Sequence, residues 1–473
     1  MKKKTKIVCT LGPASRDPEI IEEMLKAGMN VARLNFSHGS YDEHRKAIES
    51  FRSVRDKLGV PAAVMLDTKG PEIRLGDFAR GSEFLQDGAG LTLTTEECAG
   101  TAEKVQITYK ELPAQVTVGN VIRLDDGRIE LEVESVTDKE INCRVTAGGE
   151  ISSKKGVNVP DVSLDLEYVS ERDKSDLLFG IEMDVDYVAA SFVRTADDVK
   201  QIRMLLNENG GEKIKIISKI ENMQGINNFG EILELSDGIM VARGDMGVEV
   251  DYEKLPGLQK RFIRACCIAG KPVITATQML ESMTSNPAPT RAEITDVANA
   301  VFDGTSAVML SGESAMGKYP VETVKAMSRI IMQAELDLRD VDPDKGLEFV
   351  SDHEDVSNAI GHAACTTARD IKSSAIVAVT MSGYTAQMMA KYRPEVPVVA
   401  VTPDRKTYHQ QALVFGVCPL LTDIADELEE IIEDTKKQLR NMELVAEGDS
   451  IVYSAGMPLK LPGTTNLIRV TYC

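Results

Sequence analysis

Two short segments hold the residue types that chemistry on an anionic substrate needs. Ile216-Ile217-Ser218-Lys219-Ile220-Glu221-Asn222 and Met240-Val241-Ala242-Arg243-Gly244-Asp245-Met246-Gly247 each begin as an apolar, strand-like run and end in charge. If both runs are parallel strands of one sheet, Lys219, Glu221 and Asp245 emerge at one rim. Two carboxylates supply the oxygen ligands a hard divalent cation takes, and a lysine beside them suits a phosphate. Gly244 and Gly247 would let backbone N–H groups approach a carboxylate or phosphate.

Other apolar runs end in the same way. The residues after them read Arg33-Leu34-Asn35-Phe36-Ser37-His38-Gly39, Asp67-Thr68-Lys69-Gly70-Pro71-Glu72-Ile73-Arg74, Thr277-Gln278-Met279 and Ser311-Gly312-Glu313. Arg74 can join Lys219 in neutralising a phosphoryl group as charge spreads over its oxygens. Asn35, Ser37, Asp67 and Thr68 offer neutral oxygens plus one carboxylate, a set that suits K⁺. Thr277 can position a water or donate a proton. Each residue alone has a plainer reading: Lys219 or Glu221 as a solvated loop residue, Asp67-Thr68 as a turn opener, Arg33 in a surface ion pair of little value. Their co-occurrence at several strand ends carries the argument. Glu293 and Asp296 read as structural ion-pair residues.

Such a rim needs a scaffold. Strand-like runs span Lys6–Leu11, Asn30–Phe36, Ala62–Asp67, Tyr187–Val193, Ile214–Ile220, Gly238–Ala242, Pro272–Thr277 and Ala307–Leu310. Segments between them, such as Asp17–Ala27 and Tyr41–Leu58, carry apolar residues at helical spacing. Eight such units predict an α/β fold, a (β/α)₈ TIM barrel with its active groups at the C-terminal ends of the strands. The stretch Gly70–Leu166 instead alternates, as in Ile129-Glu130-Leu131-Glu132-Val133, with a hairpin-like turn at Asp125-Asp126-Gly127-Arg128. It predicts a small β-barrel domain, inserted after the third strand and able to act as a lid. A polar linker at Asp340–Gly346 precedes a C-terminal α/β domain with a mostly parallel sheet, its strands at Ala375–Thr380, Val396–Thr402 and Ser450–Ser454. The division is thus 1–69 with 167–340, then 70–166, then 347–473.

Composition narrows the partners. A 473-residue chain exceeds one hydrophobic core. A net charge of −20 argues against a nucleic-acid partner and an anionic membrane. No apolar run approaches membrane-spanning length and the N-terminus lacks a signal-type h-region, so a cytoplasmic location is expected. The eight cysteines include no C-x-x-C pair and read as reduced, mostly buried thiols. The third domain contains Thr380-Met381-Ser382-Gly383-Tyr384-Thr385-Ala386 between a strand and a helix. It reads either as a phosphate cradle or as an ordinary capped helix start.

These motifs, with Lys6-Ile7-Val8-Cys9-Thr10-Leu11-Gly12-Pro13 and Lys154-Lys155-Gly156-Val157-Asn158, resemble the pyruvate kinase family in order along the whole chain. The likeness is to the bacterial type without an extra C-terminal domain. It implies phosphoryl transfer from phosphoenolpyruvate to ADP, giving pyruvate and ATP. It implies Glu221 and Asp245 as ligands of Mg²⁺ or Mn²⁺, Lys219 at the phosphoryl group in flight, and Arg33 on the substrate. The Gly244 backbone with Asp245 and Thr277 would lie at the substrate, and Thr277 or Ser311 would relay a proton. Asn35, His38, Arg74 and Lys155 would face the nucleotide, while Asn35, Ser37, Asp67 and Thr68 would hold K⁺. Glu72 stands where, in this family, a glutamate accompanies K⁺ dependence. Thr380, Ser382, Gly383, Tyr384 and Thr385 would meet a sugar-phosphate or AMP effector, in a homotetramer. Asp303-Gly304-Thr305-Ser306 departs from many relatives in having Ser306. Two other functions compete: a metal-dependent aldolase or lyase acting on a pyruvate enolate, and a non-catalytic sugar-phosphate-binding regulator.

Overall fold

The computed structural model describes residues 3–160, 162–341, 355–423, 425, 427–459 and 465–473. Most of the linker at Asp340–Gly346 and the 347 boundary lie outside the described residues.

Eight parallel strands close a barrel: β1 Lys6–Thr10, β2 Val31–Asn35, β3 Ala63–Asp67, β4 Tyr187–Ala190, β5 Lys215–Ile220, β6 Gly238–Ala242, β7 Val273–Ala276 and β8 Ala307–Leu310. The strands are apolar on both faces because one face fills the barrel and the other meets the helices. Inside pack Val8, Val31, Met65, Tyr187, Ile217, Met240, Ile274 and Met309. The outer helices carry their own stop signals. Tyr41–Leu58 starts at a Ser40/Glu43 capping box and ends at Gly59 in the left-handed region. β4 and β7 end three and one residues earlier, respectively, than the apolar runs predicted.

The insert forms a seven-stranded sheet and a two-stranded ribbon between β3 and β4. Its edge strands, Ile73–Arg74 and Lys104–Gln106, meet through the bridge Leu75↔Ile107, so the sheet curls shut. The hairpin at Asp125–Arg128 is present, with Leu124 paired to Ile129. Asp125, Asp126 and Gly127 all take positive φ there. The insert rests on the helix Arg243–Glu249: Arg123 donates to the Val248 carbonyl, and Asn158 Nδ2 donates to Glu249 Oε1 at 2.9 Å.

The C-terminal sheet has five strands in the order 417–421, 398–402, 375–379, 450–456, 465–472. All but the last run parallel to their neighbours. Val417–Leu421 and Thr465–Tyr472 escape the sequence reading. The first contains Pro419, which an edge strand tolerates. The second alternates polar residues and is largely exposed. This domain covers the floor of the barrel. Leu413 is fully buried among the barrel's interior side chains. The Tyr187 hydroxyl donates to the Gln410 carbonyl at 2.6 Å, and Lys6 Nζ donates to the Val417 carbonyl at 2.8 Å.

Candidate active site

The strand ends converge as the barrel geometry requires. Asn35 and Asp67 pair in register, so β2 and β3 deliver their last residues at one level. Asp67 is 1% exposed. Its Oδ2 takes Arg33 Nε at 2.6 Å and its Oδ1 lies 3.2 Å from Lys219 Nζ. Arg33 Nη1 also donates to Thr10 Oγ1 at 2.8 Å. Arg33 is 7% exposed, so the surface ion-pair alternative is wrong: the barrel rim encloses it.

Lys219 Nζ has two further neighbours, Ser191 Oγ at 2.8 Å and Glu221 Oε1 at 2.9 Å. Burial alone would weaken the ammonium, but Asp67 and Glu221 outweigh it and hold its pKa above the ordinary lysine value. Glu221 Oε2 accepts the Phe192 N–H at 2.5 Å. Its Oε1, though close to Lys219, accepts no well-directed hydrogen bond. Burial, with a further push from the negative charge of Asp245, raises the Glu221 carboxyl to about 8 against the pull of Lys219. A buried carboxylate oxygen short of donors beside a second carboxylate is a cation's place.

Asp245 lines a cleft of about 600 Å³ between barrel and insert. Among the described residues no three His, Cys, Asp or Glu side chains cluster to hold a metal. Two protein carboxylates leave coordination positions for water and substrate oxygens, the habit of Mg²⁺. His38, Glu72, Arg74 and Lys155 line the same cleft. Lys155 Nζ lies 2.7 Å from Asp125 Oδ1, and Arg74 Nη2 lies 2.7 Å from Glu72 Oε2.

The residues expected to hold K⁺ stand on adjacent strand ends. The Asn35 side-chain oxygen accepts the Ser37 N–H at 3.1 Å, and Thr68 Oγ1 accepts the Ser191 N–H at 3.1 Å. Hard oxygens and one carboxylate fit a monovalent cation, although both Asp67 oxygens already face side-chain donors.

Thr277 follows β7 with φ +69°, and Gln278 follows it with φ +55°. Thr277 Oγ1 accepts the Gly244 N–H at 2.8 Å and donates to the Ala276 carbonyl at 2.6 Å. Ser311 N donates to Glu313 Oε2 at 2.7 Å. Asp296 is an ion-pair residue as expected, 2.7 Å from Arg243 Nη1. Glu293 is not: it closes a capping box with Thr290 and binds Ser282, so its role is to start a helix.

Sequence reasoning missed Ser191 and Phe192. Both follow β4 but fall inside the run read from sequence as Tyr187–Val193, so neither stood out as a strand-end residue. In the third domain, Thr380 Oγ1 accepts the Gly383 N–H at 2.9 Å, Tyr384 donates to Asp355, and Thr385 meets the Thr465 hydroxyl. Ser382 is exposed.

Comparison with known proteins adds to this geometry. The family described as "Pyruvate kinase, barrel domain" matches residues 2–324, and "Pyruvate kinase, alpha/beta domain" matches residues 358–471. The pyruvate kinase of Clostridium acetobutylicum is 48% identical over 470 residues, covering 99% of this chain and 99% of the relative. Those of Sporosarcina psychrophila and Geobacillus stearothermophilus are each 47% identical, covering 99% of this chain and 80% of the relative.

Proposed function

The chain belongs to the pyruvate kinase family, and from that premise we propose individual roles for the residues gathered at the barrel mouth. The reaction is transfer of a phosphoryl group from phosphoenolpyruvate to ADP, giving pyruvate and ATP. Such a transfer needs positioning and charge neutralisation rather than a covalent intermediate on the protein.

The carrying observation is the buried Lys219 ammonium, flanked by Asp67, Ser191 and Glu221 at the barrel mouth. Lys219 faces the phosphoryl oxygens and stabilises the charge that spreads over them. Arg33 holds the substrate from the other side of Asp67. The Gly244 N–H and the Thr277 hydroxyl, which here donate to Thr277 Oγ1 and the Ala276 carbonyl respectively, would turn to receive the substrate carboxylate. Thr277 or Ser311 holds the proton that converts enolpyruvate to pyruvate. Arg74, His38 and Lys155 meet the nucleotide beside Asn35, with Lys155 carried by the insert. Closure of that insert would exclude water, which would otherwise take the phosphoryl group.

Glu221 and Asp245 would hold Mg²⁺ or Mn²⁺, which when bound neutralises phosphate oxygens. Asn35, Ser37, Asp67 and Thr68 would hold K⁺. The loop Thr380–Thr385 would take a sugar-phosphate or AMP effector. The working form would be a cytoplasmic homotetramer of three-domain subunits divided at 69/70, 166/167 and the linker before 347. Among the described residues no helix is long and apolar enough to cross a membrane.

A coupled assay for pyruvate from phosphoenolpyruvate and ADP, with and without Mg²⁺ and K⁺, tests this reading. ATP formation that requires the divalent cation is expected. Enolate cleavage without ATP would favour an aldolase or lyase instead.

A further inference from the structure

Thr277 and Gln278 are consecutive non-glycine residues in the left-handed region, and Thr277 is β-branched. A branched side chain rarely adopts that backbone, and such strain persists only where the surroundings over-determine it. The surroundings here centre on one guanidinium. Arg243 Nε donates to the Ala276 carbonyl at 3.1 Å and Nη2 donates to the Thr277 carbonyl at 2.7 Å. Both peptide oxygens flanking Thr277 are therefore held by one planar fork. The fork is itself anchored: Nη1 donates to Asp296 Oδ1 at 2.7 Å, from the helix Arg291–Asp303. Beyond the strained pair, Leu280 N donates to the buried Glu313 at 3.1 Å. The loop is thus gripped at both ends.

The grip has a chemical product. With Thr277 left-handed, its hydroxyl stands 2.8 Å from the Gly244 nitrogen. Gly244 directly follows Arg243, so two consecutive residues supply the clamp and the N–H that the hydroxyl meets.

We propose that Arg243 is a positioning residue: its guanidinium holds the Thr277 peptide left-handed and thereby sets the hydroxyl beside the Gly244 N–H. This rests on the role given to Thr277 above. A lysine at 243 would keep the charge but lacks the rigid fork that holds both carbonyls and Asp296 at once. The peptide would then relax toward extended backbone and turn the hydroxyl away.

The test is a double-mutant cycle of Arg243→Lys and Thr277→Ala, with Gln278→Gly as a rescue. Alone, Arg243→Lys lowers kcat about 100-fold with the KM for ADP unchanged, and in the Thr277→Ala background it costs less than about threefold. Gln278→Gly added to Arg243→Lys restores about tenfold of the loss, because glycine enters the left-handed region without strain. Equal losses in both backgrounds, or no recovery with Gln278→Gly, would overturn the clamp alone. Near-normal turnover of Thr277→Ala would overturn the role of Thr277 and the clamp with it. If Arg243→Lys does not fold, Asp296→Asn replaces it in the cycle. That variant loosens the anchor and loses about tenfold in kcat, again only when Thr277 is present.

Discussion

Asp67 and Lys219 form an ion pair at 3.2 Å although their strands are not neighbours. β4 runs between β3 and β5. The turn after β4 supplies Ser191, whose hydroxyl lies 2.8 Å from Lys219 Nζ and 3.3 Å from Asp67 Oδ1. The second Asp67 oxygen takes Arg33. Burial would raise the Asp67 carboxyl, but Arg33 and Lys219 outweigh it and hold it below the ordinary aspartate value. One carboxylate thus orients two cations toward the mouth of the barrel.

Replacing Lys219 with Met removes the charge we propose to lie nearest the phosphoryl group. The expected loss in kcat is about 10³-fold or more, with divalent-metal binding retained. Steady-state kinetics alongside Mn²⁺ titration check both parts. Near-normal turnover of a metal-binding variant would refute the role.

Glu72 is half-buried and faces Arg74 at 2.7 Å and Lys69 at 3.7 Å, so it brings no positive charge to the region of Asp67. Turnover should therefore rise when K⁺ replaces Na⁺ in the buffer. Glu72→Lys should reduce that dependence. Equal rates of the unmodified enzyme in the two salts would sink the idea.

Lys155 reaches the cleft from the insert and is held by Asp125. Lys155→Ala should raise the KM for ADP about tenfold while changing the KM for phosphoenolpyruvate little, as expected of a group that contacts only the nucleotide. Kinetics with each substrate varied in turn separate the cases. A change confined to phosphoenolpyruvate would place Lys155 elsewhere.

Asp186 is buried at the barrel floor, its Oδ2 accepting the Val64 N–H at 2.7 Å. Burial pushes its carboxyl up from 3.8 to about 6, against the smaller pull of the Val64 hydrogen bond and the charge of Lys406. The folded chain therefore binds this proton more tightly than the unfolded chain. Asp186 favours folding most below its unfolded pKa, and the advantage is lost as pH rises to about 6, a swing of about 3 kcal/mol. Asp186→Asn should remove that slope. Denaturant titrations of both proteins from about pH 4 to about pH 7 should show the variant gaining relative stability with pH. A constant difference would refute the shift.

The sequence exposed strand ends well because charge following an apolar run is a local pattern. Lys219, Glu221 and Asp67 were visible in this way, and the structure brings them together. Ser191 was hidden because a serine after a strand carries no charge to mark it. The left-handed turn at Thr277 was hidden for a different reason: residue type disfavours it, and only a distant guanidinium imposes it. The burial of Arg33 depends on closing β1 against β2 and β3, which no local window contains. In the third domain, Pro419 disguised an edge strand that needs one fewer ladder bond.

Leu413 has a consequence for how the chain is made. The side chain that completes the barrel's interior is encoded well after the last barrel strand, in a different domain. During synthesis the eight strands leave the ribosome before their floor does. Until the third domain emerges, the apolar residues that Leu413 covers lack that seal. Truncation before this residue would remove more than an appendage; it would leave the catalytic core unfinished.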